Sequence, residues 1–473
     1  MAIQKITSGI IQDGAIVAAD IVSIANTQIT GNITATNLAG GSNGTIPYQS
    51  ASGTTQMLAV GTSGQLLQTN GAGAPTWATI SSSPTIVRSV RTSNTILGTA
   101  DASTLVEITS GTFTQTFTAA ATLGSGWFCY IRNSGTGDIT LDPNASETID
   151  GLTSFILYPS ETRIILSDGT NLFSIVLEFG YKEFTSTGTY VVPPGVSGFI
   201  IDAFGGGGGG GQGSTGDARS GPGGGGGAHA QMSIDPIAAG TSITVTVGAG
   251  GTAGTAGGGG AGGTSSFGTY VYAYGGAGGT AHGAPGGGTA SAGGGSAALN
   301  EYEAGGGWPN LRIGTRTGGQ AQVDVQLFSQ VSGGGAQARN GGVSGTTGFS
   351  AEWGGGSSAP YMNQAAVGGP GGTSMWGGGG GGAGGGNGYA GGAGGATGTW
   401  TTGGGGAAGA NGVAGTAGAA GVGNRGGAGG GGGGSGAAGG AGGFPSGGGG
   451  GGGYGNAGLG AAGGAGKVVV KWF

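Results

Sequence analysis

The chain has 473 residues, 132 of them glycine, with a single cysteine, two histidines and a net charge of −6. Its 13 basic residues are scattered, which excludes binding to a nucleic-acid backbone, since that needs clustered Lys and Arg. One cysteine, Cys129, excludes both an intrachain disulfide and a cysteine-based zinc site within one chain. No apolar run approaches the length of about 20 residues that inserts into a membrane. Met1–Thr30 also lacks the basic-then-apolar pattern of a signal peptide.

Residues 1–40 carry short Ile and Val elements broken by Gly, Asp and Asn, as in Ile29-Thr-Gly-Asn-Ile-Thr34. One chain cannot bury so thin an apolar line, but three chains wound together can, so small interchain β elements are expected here. The alternative is a frayed terminus. Residues 41–80 contain Gly44-Thr-Ile-Pro-Tyr-Gln49 and then Gly64-Gln-Leu-Leu-Gln-Thr-Asn-Gly-Ala-Gly-Ala-Pro-Thr-Trp77. Asn70-Gly71 is a strong two-residue hairpin signal, and Trp77 would anchor the second strand.

Residues 81–180 read as eight strands: Thr85–Val90, Leu105–Thr109, Phe113–Phe117, Trp127–Arg132, Asp138–Leu141, Ser154–Tyr158, Thr162–Leu166 and Leu172–Leu177. Their spacing and the Gly, Asp and Asn turns between them predict a β-sandwich or barrel without helices.

Residues 181–473 form a glycine-rich domain, with 109 of the glycines lying after Phe204. Solid runs (Gly205–Gly211, Gly223–Gly227, Gly377–Gly382, Gly429–Gly434, Gly447–Gly453) alternate with short Ala, Ser and Thr interruptions. One stretch keeps a strict step of three: Gly403, Gly406, Gly409, Gly412, Gly415, Gly418, Gly421. Three residues per turn is the polyproline-II period, and chains without Cβ can pack such helices side by side. Collagen is excluded because no proline lies between Gly371 and Phe444. Disorder is disfavoured by the strands Gly198–Phe204, Thr241–Val247 and Lys467–Phe473, and by Trp308, Trp353, Trp376 and Trp400. The expected class is therefore all-β, with β-strands and packed polyglycine-II helices in the last domain.

Three stretches resemble modules of bacteriophage tail fibres. The first is the Gly64–Trp77 pattern. The second is Asn133–Pro143 with Glu147–Gly151. The third is the glycine-rich domain, which opens on Phe184–Gly205, contains a Val-Thr-Val-Gly-Ala-Gly-Gly strand within Ile243–Gly251 and closes on Val468–Val470. The resemblance implies a virion-surface adhesin, trimeric or mounted at a fibre tip. Residues 1–40 would attach to a tail, baseplate or nozzle protein, and the partner would be a host surface glycan or outer-membrane protein. It also implies that residues departing from the glycine pattern form the recognition loops. These include Tyr302, Trp308, Arg312, Arg316, Trp353, Tyr361 and Trp376, with Phe328 and Arg339 nearby. Aromatic rings can stack on sugars, and Arg pairs with acidic groups; the competing role for each Trp is core packing.

No catalytic, metal or cofactor residues are expected. His229 and His282 lie in glycine context without a nucleophile motif. Glu301 and Glu303 have the alternate spacing of a carboxylate pair on one strand face, but solvated charge is the simpler reading. A structural connector and a glycan depolymerase are the alternative functions.

Overall fold

The computed structural model describes residues 42–52, 54–79, 86–213, 220–255, 257–279, 355, 367–374, 376–383, 388–397, 405–422, 425–455 and 458–473. The chain is all-β and divides into two compact units, Met1–Thr85 and Ile86–Phe473. The expected attachment segment 1–40 lies outside the described residues.

In the first unit, β1 (Ile46–Ala51) pairs antiparallel with β2 (Thr54–Leu58), and β3 (Gln65–Asn70) with β4 (Gly73–Thr79). The second hairpin turns on Gly71, whose φ of +67° favours glycine. Trp77 donates its indole N–H to the Ala59 carbonyl at 2.6 Å and lies so close over Gly61 that a Cβ there would enter the ring.

The second unit opens with all eight expected strands. They are β5 (Val87–Arg91), β6 (Thr104–Ile108), β7 (Phe113–Thr116), β8 (Phe128–Asn133), β9 (Ile139–Asp142), β10 (Phe155–Leu157), β11 (Thr162–Ser167) and β12 (Leu172–Glu178). A five-stranded sheet, β12-β11-β8-β6-β5, faces a three-stranded sheet, β10-β9-β7, across a core containing Ile108, Cys129, Ile131, Leu141, Phe155 and Ile165. The module is a sandwich. From β6 to β9 the chain alternates between the sheets, so neighbours within a sheet (β6 and β8, β7 and β9) run parallel. The expectation of no helix fails at two short turns, a 3-10 turn at Thr99–Asp101 and α1 (Ala120–Leu123), whose first N–H is held at 3.0 Å by the Glu147 carboxylate.

The glycine-rich domain stands on two four-stranded sheets built from eight strands. These are β13 (Tyr181–Phe184), β14 (Gly188–Val191), β15 (Phe199–Phe204), β16 (His229–Ile234), β17 (Ser242–Thr246), β18 (Ser265–Phe267), β19 (Val271–Ala273) and β20 (Lys467–Trp472). The orders are β13-β20-β15-β16 and β14-β17-β18-β19. Their shared core is aromatic: Tyr190, Phe199, Phe267 and Trp472. Tyr158 of the sandwich completes it, stacked on Tyr190 at 5.0 Å and edge-on to Trp472 at 5.2 Å. Its hydroxyl donates to the Val191 carbonyl at 3.0 Å and accepts from the Val191 N–H at 2.9 Å. A second tie is the buried pair Arg163–Glu161. Arg163 donates at 2.6 Å to Glu161, at 2.8 Å to Ser174 and at 2.7 Å to the Pro194 carbonyl, joining the sandwich to the loop before β15.

Beyond the sheets the chain runs as polyglycine-II helices: g1 (205–213), g2 (220–228), g3 (248–254), g4 (257–264), g5 (274–279), g6 (367–374), g7 (376–383), g8 (388–397), g9 (405–410), g10 (412–421), g11 (425–435), g12 (436–444), g13 (446–454) and g14 (458–466). The three-residue period is visible in the bonds of g1. The N–H groups of Gly205, Gly208 and Gly211 reach g2; those of Gly206, Gly209 and Gln212 reach g4; those of Gly207, Gly210 and Gly213 reach g14. Its carbonyls accept from g3, g5 and g13, as in Gly251 to Gly207, Gly276 to Gly206 and Gly449 to Gly208, at 2.8–2.9 Å. Helix g1 is thus ringed by six neighbours. The three receiving its donors run antiparallel and the three donating to it run parallel. Nine residues at about 3.1 Å each make it about 28 Å long.

Helices g11 and g13 are likewise ringed by six helices, and g7 by five helices and Gly355, each with parallel and antiparallel partners on both its donor and its acceptor sides. With g1 they hold four of the five solid glycine runs, and the fifth, Gly223–Gly227, packs against g1, g5, g7 and g13. A methyl group added to Gly207 or Gly450 would strike a neighbouring carbonyl oxygen, that of Gly447 or Gly431. Edge helices carry larger residues where the side chain points to solvent. In g10, Gly415, Gly418 and Gly421 donate to g12 at 2.7–3.0 Å, while Val413, Ala414, Thr416 and Ala417 face solvent. The strict step of three is not one helix. Gly406 and Gly409 belong to g9, the chain reverses at Asn411-Gly412 with Gly412 at φ +74°, and the step resumes in g10.

Gly450→Ala should therefore destabilise the domain by about 1–3 kcal/mol or more, whereas Ala417→Ser on the exposed edge should stay within about 0.5 kcal/mol; paired thermal melts measure the contrast. Arg163→Met would leave the buried Glu161 carboxylate without its cation, and urea unfolding should show a loss of about 3–5 kcal/mol.

Candidate functional site

The helices alternate strictly in direction. Odd-numbered ones leave the sheets and even-numbered ones return, as the parallel and antiparallel bonds require. Six strands feed them directly: β15 runs into g1, g2 into β16, β17 into g3, g4 into β18, β19 into g5 and g14 into β20. One end of the bundle is therefore fixed to the aromatic core, and the other end collects the reversals.

At that far end the described turns are bonded to one another through backbone. Gly412 N–H reaches the Ser435 carbonyl at 3.1 Å, Ser435 N–H reaches Tyr389 at 3.2 Å, and Gly436 N–H reaches Tyr454 at 2.7 Å. Asn411 and Gly436 are exposed, and Tyr389 and Tyr454 half-exposed. Helix g5 ends here at Gly279 and g6 begins here at Val367, while Gly355, the one described residue between them, is bonded at the sheet-proximal end, accepting from Gly226 N–H at 2.9 Å and donating to the Gly377 carbonyl at 2.8 Å.

Of the expected recognition residues, Tyr302, Trp308, Arg312, Arg316, Trp353 and Tyr361 lie in that segment, outside the described residues, as do Phe328, Arg339, His282, Glu301 and Glu303. Trp376 is placed at the opposite, sheet-proximal end. It opens g7 and lies over the outer face of the β15–β16 pair, its ring stacked on His229 at 3.8 Å and tilted against Phe204 at 6.1 Å. The structure gives it a packing position where strands become helices.

Beneath Trp376 lies a polar cluster, centred on the buried Asp202 and His229, that the sequence did not signal. His229 Nε2 donates to Asp202 at 3.1 Å, Gln231 donates to the same oxygen at 2.8 Å, and Lys471 reaches the other oxygen at 3.2 Å. These residues come together because Asp202 pairs in register with Gln231, and their neighbours Ile200 and Phe204 pair with Lys471 and His229. The pattern has a His–Asp pair, but the nearby Ser265 hydroxyl is committed to the Phe204 carbonyl at 2.6 Å and to Gly248 N–H at 2.9 Å. The cluster acts as a polar clamp at the strand–helix junction. Among the described residues, no group of three His, Cys, Asp or Glu side chains is placed to hold a metal ion.

No protein-family model matches this chain, and no curated protein matches it either.

Burial holds the His229 imidazole below its ordinary value near 6.5, outweighing the hydrogen bond to Asp202. For Asp202, burial pushes upward, but the hydrogen bonds from His229 and Gln231 prevail and keep its carboxyl below the usual range. Both groups bind protons less readily in the folded protein than in the unfolded chain, so stability rises with pH. The His229 share is present above about pH 6.5 and is lost as pH falls below it; the Asp202 share follows below about pH 4. The melting temperature should fall between pH 7.5 and pH 5.5, and His229→Gln should flatten that decline in a parallel scan.

Proposed function

We propose that this chain is a tail-fibre adhesin of a bacteriophage, and that the far end of its glycine-rich domain recognises the host surface. The observation that carries this reading is the polarity of the bundle. One end is locked to a sandwich through a shared aromatic core, and the other gathers the described turns, the end of g5 and the start of g6. The tail-fibre resemblance of the modules around Gly64–Trp77 and Ile243–Gly251 supports the same reading.

In this reading residues 1–40 attach to a tail, baseplate or nozzle protein, the chain assembles as a homotrimer, and the fibre is exposed on the virion. The ligand is a host glycan or outer-membrane protein, met by Tyr302, Trp308, Arg312, Arg316, Trp353 and Tyr361. A backbone-bonded bundle presents its end rigidly, so little ordering entropy is lost on contact. Several fibres per particle multiply a weak single contact into firm adsorption. The chemistry is binding rather than catalysis.

The test uses the labelled full chain on a panel of candidate host cells, beside a variant carrying Ala at Tyr302, Trp308, Arg312 and Arg316. The intact chain should bind one host and block adsorption. The variant should lose binding at least about tenfold, or about 1.4 kcal/mol, with an unchanged melting temperature. Equal binding by a folded variant would move recognition elsewhere on the chain. A folded intact chain that binds no cell would leave it a structural link, and release of reducing sugar from host polysaccharide would make it a depolymerase.

A further inference from the structure

The outer face of the β14-β17-β18-β19 sheet is coated with hydroxyls and edged by tyrosines. On its inner face Ile243, Val245, Phe267 and Val271 are buried in the aromatic core. On its outer face Thr189 sits opposite Thr244, Val191 opposite Ser242, and Thr246, Ser266 and Tyr272 form one row across three strands. Tyr272 lies on β19 and Tyr274 follows at the start of g5, while Tyr270 sits in the turn between β18 and β19, its ring 6.2 Å from that of Phe267. Tyr270 and Tyr272 are 45% and 39% exposed, and the rings of Tyr272 and Tyr274 lie 6.4 Å apart at only 21°. Tyr270 forms the ridge between two open depressions of about 410 and 520 Å³. The first is lined by Thr241, Thr244, Thr246 and Ser266, and the second by Ser233, Asp235, Pro236 and Ile237.

We propose that this face is a binding site for an extended neutral glycan, separate from the far end of the bundle. Three features select that ligand. Tyrosine rings present flat apolar faces to the C–H side of a sugar while their hydroxyls stay available for hydrogen bonds. The threonine and serine hydroxyls both donate and accept, as sugar hydroxyls do. Among the described residues lining the depressions, Asp235 is the one charged side chain, and a carboxylate accepts hydrogen bonds from hydroxyls but repels anionic sugars. A nucleic acid or an acidic polysaccharide would need cations, and the described residues lining these depressions include none. The near-parallel rings of Tyr272 and Tyr274, 6.4 Å apart, with the hydroxyl rows beside them, suit a chain of sugars lying along the face rather than a single ring in a pocket. The inference does not depend on the adhesin reading.

The experiment prints neutral hexo-oligosaccharides of four or more units beside matched uronic-acid-containing ones and probes them with the full-length protein. Binding to neutral oligosaccharides is expected, with little dependence on salt between 50 and 500 mM NaCl. Tyr272→Ala should weaken it at least about tenfold, the loss of a stacking anchor, while Tyr272→Phe, which keeps the ring, retains most of it. The variant altered at Tyr302, Trp308, Arg312 and Arg316 should bind these neutral oligosaccharides as the intact chain does. Three outcomes would overturn the proposal: no neutral glycan bound by the folded protein, preference for the uronic-acid series, or unchanged binding by Tyr272→Ala. A lower mass of Tyr272→Ala by light scattering would instead make the face an interface between copies.

Discussion

The lateral backbone hydrogen bond between polyglycine-II helices is the interaction on which the rest of this protein depends. Each interior residue gives one N–H to one neighbour and one carbonyl to another, and the three-residue turn spreads these bonds over six directions. At most glycines of the lattice the helix axes are so close that a Cβ would strike the next backbone. Glycine content therefore follows position. Helices ringed by six neighbours are solid glycine, whereas g10 at the edge keeps glycine at every third residue and exposes Val413, Thr416 and Ala417. Weak Cα–H···O contacts accompany such close packing.

A lattice of this kind buries almost no apolar side chain, while ordering glycine costs more conformational entropy than ordering any other residue. The aromatic core beneath it supplies what it lacks. Tyr190, Phe199, Phe267 and Trp472 are buried between the two sheets, and six strands continue without interruption into helices, so the register of the sheets sets the register of the lattice. The final strand, β20, lies between β13 and β15, which closes the sheet only after every helix has been laid down. Tyr158 and Arg163 extend the same core into the sandwich. This explains why a boundary legible in composition near residue 180 does not separate compact units, whereas the one near residue 85 does.

The sandwich was legible because all its strands but the three-residue β10 run four to seven positions and most alternate more and less buried residues, and the polyglycine-II period was legible because one edge helix must place glycine at every third residue. Other features left no such trace. Strand β16 carries His229 and Gln231 on the face that meets Asp202, so its polar residues mask a strand pattern. Strands β18 and β19 have three residues each, too few for a period to register. The turn at Asn411-Gly412 hides inside an unbroken step of three because the glycine that reverses the chain also keeps the count. Of the candidate site, the sequence located the stretch that departs from glycine but could not separate its members. Trp376 belongs to the junction because the first residue of g7 falls over Phe204 and His229, a consequence of strand register that no local pattern encodes.

The two surfaces considered for binding differ in how freely they can change. Hydroxyls on the outer face of β17 stand on strands whose other side is the aromatic core, so any change there that shifts the strand disturbs Tyr190 and Phe267. At the far end of the bundle the turns are joined by backbone bonds, from Gly412 to Ser435 and from Gly436 to Tyr454, and their side chains add nothing to an apolar core. Residues there are held in place by groups that every amino acid except proline possesses. A recognition surface mounted on such a lattice can exchange its side chains while the bonds that position them stay the same, so rigidity and variability coexist there without the usual dependence on repacking a core.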